Sequence, residues 1–269
     1  RKPTKMKNIN INRSDCLVPS IMLGGWPVVR VNRQEFAKLM IVDCFAARKV
    51  TKELKPKLVF DINGHGLSMA QTDSKYRKAL KEADYIHVDG QSLVLASNLL
   101  SQTPLIERIA TTDFFHDAAL VSQKKDLRMY FLGASEKINT TAVDRIRRLY
   151  PELLISGHRH GYFRKEEEWS ICKEIVSCGT DILWIGLGKP KEQLFCIRNK
   201  ERLNGIGWLI TCGGLFDFLG GRNKRAPKWM QIAGFEWLHR LIQDPRRFFW
   251  RYLTTNIHAT YLLCLRREM

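Results

Sequence analysis

Short apolar runs flanked by glycine and polar residues recur between residues 58 and 211: Leu58–Phe60, Tyr85–Val88, Met129–Leu132, Leu153–Ile155, Ile182–Leu187 and Trp208–Thr211. Runs of this length without polar–apolar alternation read as strands buried on both faces. Segments with helical spacing of apolar positions fill the intervals: Arg33–Ala47, Gln91–Leu100, Asp113–Ser122, Glu136–Leu149, Glu166–Val176 and Glu192–Arg202. Strand and helix in alternation predict an α/β fold, with a mostly parallel sheet and helices on both faces.

The pattern changes at Gly220–Gly221. Beyond it no strand is predicted, Pro227 interrupts a basic stretch, and two helix-like runs follow, Phe235–Gln243 and Pro245–Leu265. Asp244 is placed to cap the second, with Pro245 at its first position. The expected division is a catalytic α/β body over 1–220 and a basic, aromatic helical appendage over 221–269.

Ligands on open parallel sheets bind beyond the carboxyl ends of the strands. Five predicted strand ends carry glycine or a polar group: Asp61 to Gly66, Asp89-Gly90, Gly133 to Ser135, Gly188 to Gln193, and Gly213-Gly214 with Asp217. Gly133, Gly188 and Gly214 would let backbone N–H groups approach a phosphate at a helix start. A single loop of this kind is an ordinary turn; five on one rim point to a ligand cleft. Asp89 reads either as a helix N-cap or as a general base whose pKa burial raises toward working pH. Asp61 and Asn63 either bind sugar hydroxyls or form an Asx turn. Asp217 either receives a base or ribose or pairs with Lys224 or Arg225.

The 269 residues include 44 basic and 27 acidic ones, a net charge of +17. Such an excess implies an acidic partner: nucleic acid, anionic lipid or a phosphorylated substrate. Seven scattered cysteines without a C-x-x-C pair argue against a disulfide framework or zinc site and fit a cytoplasmic setting. No apolar stretch reaches the ~20 residues of a membrane span, and no signal-type apolar run follows the basic start. The dinucleotide and P-loop fingerprints, a D-x-D pair and metal-spaced histidines are all missing. No cofactor and no metal are therefore expected, and arginine is left to neutralise phosphate.

Several segments together resemble the WecG/TagA/CpsF glycosyltransferases, glycosyltransferase family 26. They are Asn63 with MAQTD after it, VDG at Val88–Gly90, FLGA at Phe131–Ala134, LYP at Leu149–Pro151, HRHGYF at His158–Phe163 and DILWIGLGKPK at Asp181–Lys191. GGLFDFLGG at Gly213–Gly221, KRAP at Lys224–Pro227 and GFEWLHRLIQDPRRFFWRYL from Gly234 complete the set, so the match runs from about Gly25 to Leu253. The resemblance implies a Rossmann-like sheet with a C-terminal appendage. It implies an inverting enzyme that moves a sugar from a UDP-sugar to a polyprenyl-diphosphate-linked sugar, peripheral at the cytoplasmic face of the plasma membrane.

In residues, it implies a catalytic Asp89, a nucleoside-binding Asp217, and appendage arginines Arg240 and Arg247 over the diphosphate. A third family arginine falls on Trp250, with Arg251 beside it as its replacement. Asp61, Asn63, Gly133, Gly188, Lys191, Gln193 and Gly214 complete the expected substrate contacts. Two departures stand out. Asp61 replaces a frequent threonine, which disfavours a uronic acid donor by like-charge repulsion. The family's P-K-Q-E appears as Pro190-Lys191-Glu192-Gln193.

Arg246, Arg247 and Arg251 interleave with Phe248, Phe249, Trp250 and Tyr252, a pattern suited either to an anionic membrane surface or to packing on the body. A nucleic-acid-binding protein shares this mixture but leaves the five polar strand ends and Asp89 without a role, so nucleic acid is not the expected partner. A non-catalytic nucleotide-sugar-binding protein remains the other alternative. A homo-oligomeric state is left open.

Overall fold

A computed structural model describes residues 18–49 and 54–265, without the side chains of residues 247, 251, 264 and 265. All six expected strands form, as β3 (Lys57–Ile62), β4 (Tyr85–Val88), β5 (Arg128–Gly133), β6 (Leu154–Arg159), β7 (Ile182–Gly186) and β8 (Trp208–Thr211). They make one parallel sheet in the order β4-β3-β8-β7-β5-β6. Before them, β1 (Ser20–Leu23) and β2 (Trp26–Val29) pair as an antiparallel hairpin that the apolar pattern does not announce. Gly24 and Gly25 supply the positive φ angles its two-residue turn needs.

Side chains along each strand alternate between two cores. Leu58, Phe60 and Ile62 of β3, Leu183 and Ile185 of β7 and Leu209 of β8 enter one. Val59, Ile182, Trp184, Trp208 and Ile210 enter the other. On the second face lie α1 (Arg33–Lys49), α5 (Thr111–Gln123), α6 (Glu136–Leu149) and α9 (Leu215–Leu219). On the first lie α2 (Gly64–Thr72), α3 (Ser74–Lys81), α4 (Gln91–Leu100), α7 (Glu168–Ser177) and α8 (Lys191–Asn199). Burial on both sides explains why the strands read as continuous apolar runs. The chain is α/β and Rossmann-like, as the alternation predicts.

From β3 the chain steps outward to β4, and from β5 it steps the opposite way to β6. β7 and β8 then return to fill the middle. This reversal opens a crevice at the carboxyl ends of the central strands. Beyond Gly221 the described residues form α10 (Lys228–Ile232), α11 (Glu236–Gln243) and α12 (Pro245–Leu265), with no strand. Ala259, Leu262 and Leu263 of α12 are buried, and Ala259 and Leu263 share a core with Leu23 and Leu67. No described helix is long and apolar enough to cross a membrane.

Candidate active site

The carboxyl ends of β3, β4, β7 and β8 open into a cleft of about 920 Å³. Of the residues singled out by sequence, Asp61, Asn63, Asp89, Gly188, Gly214, Asp217 and Arg240 line it. A smaller cavity of about 110 Å³ adjoins it between the start of α4 and the α11–α12 helices. Asn63, His65, Asp89 and Arg240 belong to both, so Asp89 stands where the two spaces meet.

Asp89 follows the last residue of β4, and its N–H donates to the Ile62 carbonyl at 2.9 Å, which fixes it beside the end of β3. Its Oδ1 accepts the Thr111 N–H at 2.9 Å. Thr111 is the first residue of α5, and the Ala110 N-cap there has no side chain to offer. Asp89 is thus a helix cap after all, but of α5; the next helix in sequence, α4, starts behind Gly90 with no side-chain cap. Burial pushes its carboxyl up, but Arg240, Lys189, the Thr111 N–H and Arg108 together outweigh this and hold it below the ordinary carboxylate value. The direction is opposite to the sequence expectation. The reason is that the helix start and the cations, distant in sequence, converge on it. Asp89 is ionised at neutral pH and able to accept a proton.

Asp61 is buried and ion-paired with Lys189; the two side chains are 6% and 8% exposed. Thr211 Oγ1 donates to its other oxygen at 3.3 Å. Burial alone would lower the Lys189 ammonium, but Asp61, with Tyr76 and Glu192 behind it, raises it above the ordinary lysine value. The pair offers the cleft little net charge, so the expected repulsion of a uronic acid by Asp61 is largely cancelled. Beside it, Glu192 is fully buried and its Oε2 accepts the N–H groups of Gly188 and Gly213 at 3.0 and 3.2 Å. Burial, reinforced by Asp61, pushes the Glu192 carboxyl up to about 7 against the pull of Lys189 and the two N–H groups.

The remaining expected contacts divide. Asn63 caps α2, accepting the Gly66 N–H at 3.0 Å, and still lines the cleft. The Gly188 N–H, expected to face phosphate, is engaged by Glu192. Gly133 is not among the lining residues; a Cβ there would meet the Gly186 carbonyl at 2.4 Å, so glycine serves the close approach of β5 to β7. Lys191 is exposed outside the cleft, and Gln193 is buried outside it with its amide 3.4 Å from Glu192. Lys189 and Glu192 hold the cleft positions instead. Asp217 faces Arg222 at 3.6 Å rather than Lys224 or Arg225.

Arg240 reaches the site from α11. Its guanidinium carbon lies 5.1 Å above the Phe218 ring and its Nη2 lies 3.4 Å from Glu236. Its Nε has no hydrogen-bond partner among the described residues. Arg247 and Arg251 fall on α12, but their side chains lie outside the described residues. Trp250, where a third family arginine would fall, is 71% exposed.

Sequence reading missed Lys189, Glu192, Arg108 and Glu236. The first two sit within the noted glycine loop one residue from those chosen. Arg108 and Glu236 carry no strand-end signal, because only tertiary packing brings them to the smaller cavity.

A model of the glycosyl transferase WecG/TagA/CpsF family matches residues 22–269. Over 196 residues, 73% of each chain, the sequence is 32% identical to an N-acetylglucosaminyldiphosphoundecaprenol N-acetyl-beta-D-mannosaminyltransferase of Bacillus subtilis. Over 182 residues, 68% of each chain, it is 31% identical to a protein of the same name from Bacillus spizizenii. With Asp89, Asp217 and Arg240 of the motifs read in its sequence gathered on one cleft, and with a family match across nearly all of its length, the chain belongs to the WecG/TagA/CpsF family of glycosyltransferases.

Proposed function

We propose that the chain transfers a neutral sugar of the hexose class, N-acetylhexosamines included, from UDP to a polyprenyl-diphosphate-linked sugar. The anomeric centre is inverted, and the product serves a surface polysaccharide or cell-wall polymer. The observation that carries this is the ionised Asp89 carboxylate at the junction of two cavities, facing Arg240. The UDP-sugar occupies the larger space and the acceptor hydroxyl enters from the smaller. Asp89 takes the hydroxyl proton as the oxygen attacks the anomeric carbon. The bond from that carbon to the diphosphate oxygen breaks on the opposite face, and UDP leaves with the electron pair. Arg240 receives the growing charge through charge-assisted hydrogen bonds. Arg247 and Arg251 are assigned the same task by sequence position, and Asp217 the nucleoside.

The relatives' shared name supports an N-acetylmannosamine donor and an N-acetylglucosaminyl-diphosphoundecaprenol acceptor over the glucose alternative. With Asp61 paired, that name, rather than charge repulsion, is what favours a neutral donor over N-acetylmannosaminuronic acid. The lipid-linked acceptor also gives the C-terminal helices a role. Phe249, Trp250, Leu253, Ile257 and Tyr261 are between 46% and 71% exposed at helical spacing along α12. We assign this face to the anionic inner leaflet, with residues 221–269 closing over the bound donor. A screen of UDP-sugars with a short polyprenyl-diphosphate N-acetylglucosamine tests the reading by UDP release. Release that requires the acceptor, with UDP-N-acetylmannosamine as the best donor, is expected. Absence of acceptor-dependent release with every UDP-sugar overturns it.

A further inference from the structure

We infer that Glu236 is a positioning residue for the transfer: its carboxylate holds the Arg240 guanidinium at the wall between the two cavities, facing Asp89. This rests on the reading above and adds to it the group that orients the arginine.

Glu236 opens α11, and its side chain is 15% exposed. Its Oε2 accepts from Arg108 Nη1 at 3.0 Å. Its Oε1 lies 3.4 Å from Arg240 Nη2, one helical turn on, and 3.5 Å from Arg225 Nε. Arg108 and Arg225 also reach Asp113 of α5, at 3.2 and 2.9 Å. Three guanidinium groups therefore share two carboxylates, and Glu236 is the one that touches Arg240. Held at one edge by Glu236 and over its face by Phe218, Arg240 keeps a buried Nε that has no hydrogen-bond partner among the described residues, on the two cavities that it lines together with Asp89. A planar donor fork fixed in this way is oriented before an anion arrives. Without the Glu236 charge, Arg240 loses its anchor and is repelled by Arg108 and Arg225.

A double-mutant cycle on the full chain separates positioning from simple structural support. Glu236→Gln should lower kcat by about tenfold or more, as loss of a charge-assisted contact does, while donor KM changes less than ~3-fold. In an Arg240→Ala background the same substitution should change kcat by less than about twofold, because the arginine it orients is gone. Calorimetry with UDP alone repeats the cycle without an acceptor. Glu236→Gln should weaken UDP in the wild-type background and leave it unchanged in the Arg240→Ala background. Wild-type kinetics in the glutamine variant, or losses that multiply across both backgrounds, overturn the inference. If the glutamine variant melts early, Glu236→Asp, which keeps the charge and shortens the reach, takes its place under the same outcomes. A wild-type chain that binds UDP but transfers nothing would remove the proposed reaction, and the calorimetric cycle would still decide the role of Glu236.

Discussion

Lys189→Met removes the cation from under the cleft and leaves Asp61 behind. The two side chains are 8% and 6% exposed, and Asp61 also accepts from the Thr211 hydroxyl at 3.3 Å. Methionine fills nearly the same volume, so the loss is one of charge. Breaking one half of a buried ion pair costs about 3–5 kcal/mol. Because the pair borders an open cleft that admits water, the lower end, about 3 kcal/mol, is expected. For a chain of this size that is a fall of roughly 6–12 °C in Tm. Lys189 has its folded pKa raised, so its contribution is complete below the ordinary lysine value and is lost only as pH rises past the raised one. The deficit should therefore be present throughout the neutral range. Urea and thermal unfolding followed by circular dichroism, on wild type, Lys189→Met and Asp61→Thr/Lys189→Met, measure it. The double variant, with no charge left unpaired, should recover most of the stability. A single variant within about 1 kcal/mol of wild type, or a double variant no better than the single, would refute the reasoning.

Glu192 has a folded pKa of about 7 against an ordinary value of 4.5, so the stability linked to its proton is complete below 4.5 and is lost as pH rises through 7. Glu192→Gln should flatten the fall in stability between pH 5 and 8, read by urea midpoints; an unchanged pH slope would contradict it. Trp250 is 71% exposed, so Trp250→Glu should leave the unfolding free energy within about 0.5 kcal/mol of wild type. It should weaken sedimentation with phosphatidylglycerol vesicles by ~10-fold or more; undiminished binding would detach α12 from the membrane role.

The six-stranded sheet was legible because burial on both faces writes short apolar runs such as Ile182–Ile185 bounded by glycine and polar residues, with helix-spaced segments between them. That Asp89, Asp217 and Arg240 line the cleft was legible through motifs at strand ends and beyond Gly221. The hairpin at Ser20–Val29 was not, because β1 alternates exposed and buried positions and Pro27 interrupts β2, so neither reads as the continuous apolar run of a strand buried on both faces. Nor were α2, whose two glycines and weak amphipathic pattern hide it, and α3, which is amphipathic and capped by Asp73 but only eight residues long. In the loop from Gly188 to Gln193 the sequence located the site but missed the side-chain directions: Lys189 and Glu192 turn in, while Lys191 and Gln193 do not line the cleft. Asp89 shows a deeper limit. Its pKa direction depends on Thr111, Arg240 and Lys189, which only the fold brings together. α12 likewise places Ala259 and Leu263 in the core with Leu67, a contact its basic, aromatic composition conceals.

Turnover and UDP affinity measured side by side on Asp89→Asn test the proton-acceptor role most directly. Asparagine can still accept the Thr111 N–H through its amide oxygen, so the start of α5 stays capped and the fold is kept. Sugar transfer should fall by about 100-fold or more, while UDP binds within ~3-fold of wild type, since Arg240 and Asp217 are untouched. Transfer that persists at near wild-type rate in this variant would contradict the assignment of Asp89 as the base.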